Sequence, residues 1–400
     1  MPMRFLDEME FSGKRLLIRV DYNVPLKGQT ITDDTRIRAS LPTLELALKQ
    51  GTSLVLCSHL GKAKGKPDEA YSLAPIAKRL GELLGREVIM APDCLGPRTE
   101  AMAQALKPGQ VLLLENLRFH PGEEANDPEF AKQVAKLGEV YVNDAFGTAH
   151  RPHASVVGFP ALMGACCGGL LLKKEWEFLG KALENPVRPY VAVTGGAKVS
   201  TKLAVLHHLL GKVDDIIIGG AMANTFLKAK GLAMGKSLVE DNRLDEAKNI
   251  LAAADKRGVG LHLPVDATIS LDAGKPLAEM SSAGVRSCSD IPAEAMILDI
   301  GPATATAFSG VLAKAKTVVW NGPMGAFENP AFAQGTLSVA KVLAGLDAVT
   351  VIGGGDTDSA VHASGLADRM SFISTGGGAS LEFMEGKELP AFKALRECGK

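Results

Sequence analysis

Short apolar runs alternate with helical patterns along nearly the whole chain. Runs of strand length, such as "RLLIRVD" (15–21) and "SLVLCSH" (53–59), are rich in Val, Ile and Leu and end in polar residues. Between them, segments such as "LAPIAKRLGELLG" place apolar residues at helical spacing. Continuous apolar strands that alternate with helices are typical of parallel sheets covered by helices on both faces. The pattern therefore predicts an α/β fold.

The alternation pauses near residue 185 and then starts again with "YVAVTGG". A chain of 400 residues is too long for one ordinary core, so we expect two domains. The segment "LLLKKEWEFLGKALENPVRP" (170–189) predicts a helix between them, ended by prolines. The expected fold is two doubly wound (Rossmann-like) parallel-sheet domains, residues 1–180 and 181–376, joined by this hinge helix.

Composition narrows the classes of partner and compartment. Lys and Arg total 44 against 45 Asp and Glu, so neither a nucleic acid nor an acidic membrane is an expected partner. The sequence shows no signal peptide and no uninterrupted apolar run of about 18 residues. The six cysteines form no CxxC pair, and we expect a reducing, cytoplasmic location. The adjacent Cys166 and Cys167 are either a redox pair or core residues, and the apolar surroundings favour packing.

Cationic and polar side chains follow four of the strands in the first half. Because the carboxyl ends of parallel strands meet at one edge of a sheet, these loops should converge there. Any one of the residues has an ordinary surface or structural explanation, but four such loops together predict a pocket for a small anion. His150 and His153 could together bind a metal, but their loose spacing and basic neighbours disfavour a metal site. The candidates are Asp21, Asn23, Arg36, Arg38, His59, Lys62, Arg118, His120, His150, Arg151 and His153.

Glycine-rich loops follow three strands of the second half, in "TGGAKVSTK", "WNGPMGAFENP" and "VIGGGDTDSAVHASG". Glycines permit close backbone approach to phosphate, and helix N-termini favour anions, so these loops predict a nucleotide site. Lys198 and Lys202 should share one face of the first helix, four residues apart. Asp356 is a candidate Mg²⁺ ligand and also a candidate helix N-cap, and the two roles are compatible at a junction of strand and helix. Aromatic residues are only 5% of the chain, so an aliphatic adenine slot is expected.

Seven motifs occur in the order found in phosphoglycerate kinases, and the chain resembles that family over essentially its full length. They are "RVDYNVP", "SHLGK", "ENLRF", "NDAFGTAHR", "GGAKVSTK", "WNGPMGAFE" and "GGGDT". The resemblance implies reversible transfer of the acyl phosphate of 1,3-bisphosphoglycerate to MgADP, giving 3-phosphoglycerate and MgATP, by a monomeric protein. It implies that the first domain binds phosphoglycerate and the second the nucleotide, with a segment from about 377 to 400 returning to the first.

The resemblance also assigns roles to individual residues. It gives a catalytic role around the transferred phosphoryl group to Arg36, Lys198 and Lys202, and a Mg²⁺ role to Asp356. The phosphoglycerate contacts it implies are Asp21, Asn23, Arg36, His59, Lys62, Arg118 and Arg151. The nucleotide contacts are expected at three side chains, Lys202, Asn321 and Glu328, and along the run Gly354, Gly355, Asp356 and Thr357. Gly196 and Gly220, which follow strands, are expected to contact the nucleotide as well.

Two departures from the family pattern and three alternatives accompany this interpretation. Lys62 stands where the family usually has arginine, which removes a bidentate fork. The segment "VVGFPALMGACCGGLLLKKE" also differs from the usual "VAGFLMEKE" type. The first alternative is a two-domain dehydrogenase, although this sequence contains no G-x-G-x-x-G motif after a strand. The other two are a two-lobed periplasmic-type binding protein and an inactive family member.

Overall fold

The computed structural model describes residues 3–399, with the side chains of 181–184 excepted. The chain divides into two compact units. The first unit runs to Glu177 and also takes in the segment from Glu388 onward, and the second spans Phe178–Lys387. The domain boundary expected near 377 falls at the first residue of the helix Gly377–Met384, which belongs to the second unit.

The first unit is built on a six-stranded parallel sheet. Its central strand, Arg15–Val20, lies between Ser53–Cys57 and Val140–Asp144. All three strands are buried almost throughout, which explains their continuous apolar sequences. In spatial order the strands are Val88–Met90, Val111–Leu113, Ser53–Cys57, Arg15–Val20, Val140–Asp144 and Cys166–Gly168.

Helices cover this sheet, and six of the described α-helices of this unit have proline at their first or second position. Proline is favoured at the start of a helix because its missing N–H has no partner to lose there. A two-stranded hairpin, Leu26–Lys27 with Thr30–Ile31, precedes the first helix. The α-helices are Thr35–Lys49, Ala74–Leu84, Pro97–Gln104, Pro121–Ala125, Pro128–Ala135, Phe159–Ala161 and Pro390–Glu397, with a π-helix at Ala154–Gly158. Short 3₁₀ turns lie at Leu6–Glu8, Glu69–Tyr71, Leu117–Phe119 and Phe146–Thr148.

The predicted hinge helix is present as Leu170–Glu184. It spans the boundary between the two units, which falls after Glu177. The sequence did not predict the strand Cys166–Gly168 just before it.

The second unit contains another six-stranded parallel sheet, and its strands follow the 3-2-1-4-5-6 order of dinucleotide-binding folds. The strand order reverses between Tyr190–Thr194 and Thr317–Asn321, which pair directly with each other. Ligands bind in such sheets beyond the carboxyl ends of the two strands at this reversal. In spatial order the strands are Gly260–His262, Asp215–Ile218, Tyr190–Thr194, Thr317–Asn321, Val349–Gly353 and Phe372–Ile373.

One prediction about this half is wrong. The run "AMILDIG" (295–301) is apolar like the other runs from which parallel strands were predicted, but Met296–Ile300 pairs antiparallel with Asp266–Ser270 in a separate sheet. The third strand of that sheet is Val285–Ser287. These strands bury one face against a small cluster of apolar side chains that includes Ile269 and Ile297, and periodicity in the sequence does not reveal pairing direction.

The first helix of the second unit begins later than the sequence predicts. Lys198 has extended backbone, a 3₁₀ turn follows at Val199–Thr201, and the α-helix begins only at Leu203. The prediction that Lys198 and Lys202 share a helix face is therefore wrong. The α-helices are Leu203–Leu209, Met222–Ala229, Leu244–Arg257, Pro302–Leu312, Gln334–Ala344, Gly355–Ala363 and Gly377–Met384. Further 3₁₀ turns lie at Asp241–Arg243, Leu277–Glu279, Pro330–Phe332 and Ala367–Arg369.

The cysteines correct a second expectation. Cys166 forms a disulfide with Cys398, 232 positions away in the sequence. The expectation that Cys166 is simply a packed core residue is therefore wrong. Its neighbour Cys167 is fully buried in the core of the first unit, as predicted. Among the described residues, no helix is both long and apolar enough to cross a membrane.

Candidate active site

A cationic cluster forms where the central strands of the first unit end. Arg36, in the first turn of its helix, donates from Nη1 to Asp21 Oδ2 and to the backbone carbonyl of Asn23, both at 3.1 Å. The Asn23 side-chain oxygen accepts from the backbone N–H of Gly61 at 2.8 Å. These contacts join the loop after the first strand to the loop after the second, so the predicted convergence of the two loops is confirmed.

His59 lies deep in this cluster and is 3% exposed. Its Nδ1 is 3.0 Å from Nη2 of Arg19, a buried arginine of the central strand. A guanidinium has only donors, so Nδ1 must accept, and the proton of the neutral ring sits on Nε2. Burial lowers the pKa of His59 well below its usual value, and the charges of four arginines lower it further: Arg19, Arg118, Arg151 and Arg36.

Arg118 closes the cluster from the loop after Val111–Leu113. Its Nη1 donates to the Gly61 carbonyl at 2.7 Å, and its Nε lies 3.2 Å from Glu124 Oε1. Burial lowers its pKa. Lys62 follows Gly61 directly and is exposed, and the half-buried Arg151 lies close enough for its charge to act on His59. Six of the seven predicted phosphoglycerate residues thus belong to the segments that follow strands at this edge of the sheet, and Arg36 joins them from the first turn of its helix.

Two other cationic candidates point elsewhere. Arg38 pairs with Asp34 at 2.8 Å on the surface, and so does not join Arg36. His120 Nε2 lies 2.7 Å from Asp93 Oδ1. Cys94 brings a third ligating atom within 4.8 Å of these two, but burial raises the pKa of its thiol well above the usual value. The hydrogen bond between His120 and Asp93 favours a structural brace at this point.

His153, in the loop after the strand Val140–Asp144, lies beside a buried carboxylate that the sequence did not reveal. Glu123 accepts from Ser155 N at 2.9 Å and from Ser155 Oγ at 2.5 Å. His153 Nδ1 is 3.9 Å from Glu123 Oε1. Burial first, and then the neighbouring arginines, lower the pKa of His153 to about 4. His153 is therefore a neutral imidazole near neutral pH, beside the buried carboxylate of Glu123.

Glycines bring three loops of the second unit together at the point where its strand order reverses. Gly196 N–H donates to the Pro323 carbonyl, and Gly220 N–H donates to the Met324 carbonyl, each at 3.0 Å. Gly220 has φ +63°, and a Cβ there would come within 2.6 Å of Gly196 N. Only glycine permits both the left-handed backbone and this close approach.

A cavity of about 260 Å³ opens beside these loops, entirely within the second unit. Its walls are mainly aliphatic, as expected for an adenine slot. Asp299 lines it and is 2% exposed, with Oδ2 accepting from Gly335 N at 2.7 Å and Oδ1 from Ile300 N at 2.9 Å. Burial raises the pKa of Asp299 to about 7. The predicted residues that line the cavity are Gly196, Gly220, Glu328 and Asp356.

Lys202 reaches from the start of the Leu203–Leu209 helix to the side chain of Asn321, at the end of the neighbouring strand. Burial lowers the pKa of Lys202 to about 8, opposed by the charges of Asp356 and Glu385. Asn321 Nδ2 is buried, with no hydrogen-bond partner among the described atoms. This nitrogen lies so close to Gly354 that a Cβ on that glycine would be only 3.1 Å from it. Lys198 stands apart from this contact and is exposed.

The Gly355–Ala363 helix begins before Asp356. Gly354, with φ +93°, is the residue that precedes the helix, so Asp356 lies in the first turn and the N-cap role is wrong. Thr357 Oγ1 accepts from Gly322 N at 2.6 Å, which ties this helix to the "WNGPMGAFE" loop. The exposed carboxylate of Asp356 is left at the rim of the cavity.

Three buried charged residues of these regions were not singled out from the sequence: Arg19, Glu123 and Asp299. Arg19 carried a usable signal, since it is a charge within the otherwise apolar strand "RLLIRV". Buried charges require partners, so such a position predicts a polar network. Asp299 carried the same signal, as a charge within the apolar strand "MILDI". Glu123 carried none, because it stands beside Glu124 and near other polar residues in the sequence.

Comparisons with known proteins agree with this geometry. The sequence model of the family described as "Phosphoglycerate kinase" matches residues 6–387. Phosphoglycerate kinase of Maridesulfovibrio salexigens is 57% identical over 400 residues, covering 99% of this chain and 100% of its own. That of Moorella thermoacetica is 54% identical, covering 98% of each. The solved structure of phosphoglycerate kinase from Coxiella burnetii superposes with a TM-score of 0.90 at 42% identity and covers 100% of each chain. The chain belongs to the phosphoglycerate kinase family.

Proposed function

We propose that the first unit binds phosphoglycerate in its cationic cluster and that the second binds ADP or ATP in its glycine-lined cavity. The reaction is that of the family, reversible transfer of the acyl phosphate of 1,3-bisphosphoglycerate to MgADP. The observation that best supports this division is the pairing of an arginine-rich anion pocket in one unit with an aliphatic cavity beside glycine loops in the other.

The chemistry explains why neither pocket needs a nucleophilic side chain. An acyl phosphate is already a reactive donor, and in-line transfer spreads negative charge over the equatorial phosphoryl oxygens. The protein must align donor and acceptor and neutralise this charge. We assign that neutralisation to Arg36 in the first unit and to Lys198 and Lys202 in the second.

Within the phosphoglycerate pocket the roles follow from donor chemistry. Arginine forks at Arg36, Arg118 and Arg151 suit the carboxylate and phosphate of the substrate. His59 is neutral and carries its proton on Nε2, so this nitrogen can only donate a hydrogen bond to the substrate. The oxygens of Asp21 and Asn23 can accept a hydrogen bond from a substrate hydroxyl. Lys62 supplies charge without a fork.

Mg²⁺ is proposed as the companion of the nucleotide. The ion usually takes one or two carboxylates, with phosphate oxygens and water completing its octahedron. The exposed carboxylate of Asp356, at the cavity rim and in the first turn of a helix, fits such a donor set. When bound, the ion supplies positive charge at the nucleotide phosphates. Asn321 Nδ2, a buried donor with no partner among the described atoms, lies close to Gly354 just before this helix, and the N-terminal backbone of the helix provides further N–H groups.

Water must be excluded while the acyl phosphate is exposed, because hydrolysis would destroy it. We therefore propose that the two units close during each turnover through the hinge helix Leu170–Glu184. We also propose that the protein works as a monomer in the cytoplasm, with small-molecule substrates and no nucleic-acid partner. Membership in the family excludes the dehydrogenase and the binding protein considered from the sequence.

The direct test is a coupled assay in which MgATP and 3-phosphoglycerate are supplied and the 1,3-bisphosphoglycerate formed is reduced with NADH. Activity should require both substrates and Mg²⁺, and it should be lost in Arg36→Ala with the fold unchanged by circular dichroism. An exposed arginine outside the cluster provides the control, Arg38→Ala, which should keep full activity. A purified, folded chain with no turnover above the blank would identify the inactive family member instead.

A further inference from the structure

We propose that Cys166 and Cys398 form a reversible thiol–disulfide clasp that controls how firmly the final helix supports the Arg151 loop. The final helix, Pro390–Glu397, ends one residue before Cys398, and the disulfide fastens it to the edge strand Cys166–Gly168 of the first unit. The effect on catalysis rests on the proposed function of Arg151. The clasp itself does not, and it can be tested separately.

The final helix touches the loop directly. Phe392 packs edge-on against Trp176, with ring centroids 4.9 Å apart, and stacks on Phe146 at 6.2 Å. Ala391 N–H donates to the Ala149 carbonyl at 3.0 Å. Phe392 is 1% exposed and dominates the buried face of this helix. Releasing the helix would therefore uncover the turn Phe146–Thr148 and free the Ala149 carbonyl.

That turn positions Arg151. Thr148 O accepts from the backbone N–H of Arg151 at 2.9 Å, so the arginine starts from the 3₁₀ turn on which Phe392 packs. The chain of contacts is short, because only His150 separates Ala149 from Arg151 in sequence. A change in the docking of the helix is thus felt at a phosphoglycerate residue, while the cavity of the second unit shares none of these contacts.

Accessibility distinguishes this pair from the other cysteines. Cys166 and Cys398 are partly exposed, whereas Cys57, Cys94, Cys167 and Cys288 are buried. A reductant in solution can therefore reach the disulfide. The reduced form is also accommodated, since Cys398 Sγ lies 3.2 Å from the Met163 carbonyl and Cys166 Sγ 3.6 Å from that of Pro160. Each thiol has an acceptor within reach.

The chemistry is ordinary thiol–disulfide exchange. A thiolate of a small dithiol attacks one sulfur of the Cys166–Cys398 bond, which breaks as a mixed disulfide forms. The second thiol of the reductant then displaces the protein sulfur, leaving two protein thiols and the oxidised cyclic disulfide. Hydrogen peroxide reverses the change, oxidising the two thiols to the disulfide with release of two waters. Disulfides in reducing compartments are usually transient or redox-sensing, which fits a bond placed at a supporting contact.

The disulfide also closes a loop that contains the whole second unit, since its two cysteines are 232 positions apart in the sequence. Cross-links that close long loops restrict the unfolded chain most. In the reduced protein the final helix is held by its side-chain packing and backbone contacts alone. We therefore expect its amide protection to fall on reduction and the KM for 3-phosphoglycerate to rise about two- to tenfold, with the KM for ATP unchanged.

The experiment compares the full-length protein treated with hydrogen peroxide and then desalted with the protein equilibrated in dithiothreitol. Alkylation followed by peptide mass mapping should show a single linkage, Cys166 to Cys398, in the oxidised sample alone. Hydrogen exchange should be slower across 390–397 in that sample. Cys398→Ser and Cys166→Ser should behave as permanently reduced protein under both treatments, and the neighbouring Cys167→Ala should respond like the parent.

A Cys166–Cys167 linkage, or no linkage after peroxide treatment, would overturn the proposal. So would a mapped Cys166–Cys398 bond that changes neither exchange across 390–397 nor the KM for 3-phosphoglycerate. If the protein has no kinase activity in either state, the proposed function fails, and the exchange measurement alone decides whether the clasp exists.

Discussion

Arg19 Nη2 lies 3.0 Å from His59 Nδ1, and both side chains are almost fully buried. Arg19 Nε also donates to Ser155 Oγ at 2.9 Å, so the guanidinium is held from two sides. The arginine thereby fixes which nitrogen of His59 carries the proton. A residue that the motif analysis passed over thus determines the donor that His59 offers to substrate.

We expect His59 to remain neutral, with its proton on Nε2, through the pH range in which a free imidazole titrates, about 6.5. Nitrogen-15 NMR of the imidazole distinguishes the tautomers and the charged form. In Arg19→Gln the pKa of His59 should rise but stay below the ordinary value, because burial is its largest cause and remains. A charged His59 in the parent protein near neutral pH would contradict this.

Lys202→Ala should lower kcat by about 10²–10³-fold, the usual cost of removing one donor to developing charge. The affinity for 3-phosphoglycerate should change little, since that pocket belongs to the other unit. Steady-state kinetics with each substrate varied separately provide the measurement. Lys230→Ala, an exposed lysine of the same unit, is the matched control. Near-normal turnover in the Lys202 variant would remove this residue from the proposed mechanism.

The lowered pKa of Lys202 also predicts a pH dependence. The ammonium form is the useful one, and in the free protein it is lost as pH rises through about 8. We therefore expect kcat/KM for the nucleotide to fall above about pH 8 at saturating 3-phosphoglycerate. Bound phosphates stabilise the charged lysine, so kcat itself should fall only at higher pH. A kcat/KM that stays flat through pH 9 in this direction of assay would show that Lys202 keeps its ordinary pKa.

Gly220→Ala should impair nucleotide binding much more than Gly231→Ala. Both glycines have positive φ, +63° and +91°, but a Cβ at Gly220 would meet the backbone of Gly196 and Pro323, while one at Gly231 meets nothing within 4 Å. Both variants place alanine at a positive φ, but only Gly220→Ala adds a steric clash. The difference between them therefore measures the cost of overpacking, roughly 1–3 kcal/mol. Calorimetric titration with ADP and thermal unfolding measure the two effects. Equal losses in both variants would refute a steric role for Gly220.

Asp299 should make the free energy of unfolding of the second unit depend on pH. Its folded pKa of about 7 exceeds the unfolded value near 3.8, so the folded state binds more protons between them. Its contribution is therefore most favourable below about pH 4 and is lost as pH rises through about 7. Thermal unfolding across this range should show the slope in the parent protein and a smaller one in Asp299→Asn. A slope that survives the substitution unchanged would assign it to other groups.

Lys62→Arg should restore the fork that the family usually has at this position. We expect the KM for 3-phosphoglycerate to fall, by up to about fivefold, as for an exposed ion pair, with the KM for ATP unchanged. Lys62 is exposed beside Gly61, so the longer planar head can be accommodated without repacking. An unchanged KM would indicate that the side chain at this position does not contact the substrate.

The alternation of apolar strands and helices was enough to predict the architecture, because a strand buried on both faces must be apolar along its length. The order of the motifs was enough to identify the family, and the parallel arrangement was enough to bring the loops of Asp21, His59, Arg118 and Arg151 to one sheet edge. Each of these features can be recognised from short stretches of the sequence, without knowing which strand lies beside which.

Other features were decided only by the tertiary structure. The antiparallel pairing of Met296–Ile300, the extended backbone at Lys198 and the helix start at Gly355 depend on neighbours that are distant in sequence. The disulfide between Cys166 and Cys398 and the contact between Arg19 and His59 join residues 232 and 40 positions apart. A sequence states which side chains are available. Burial and long-range contacts, which arise only when the chain has folded, determine their partners, protonation and orientation.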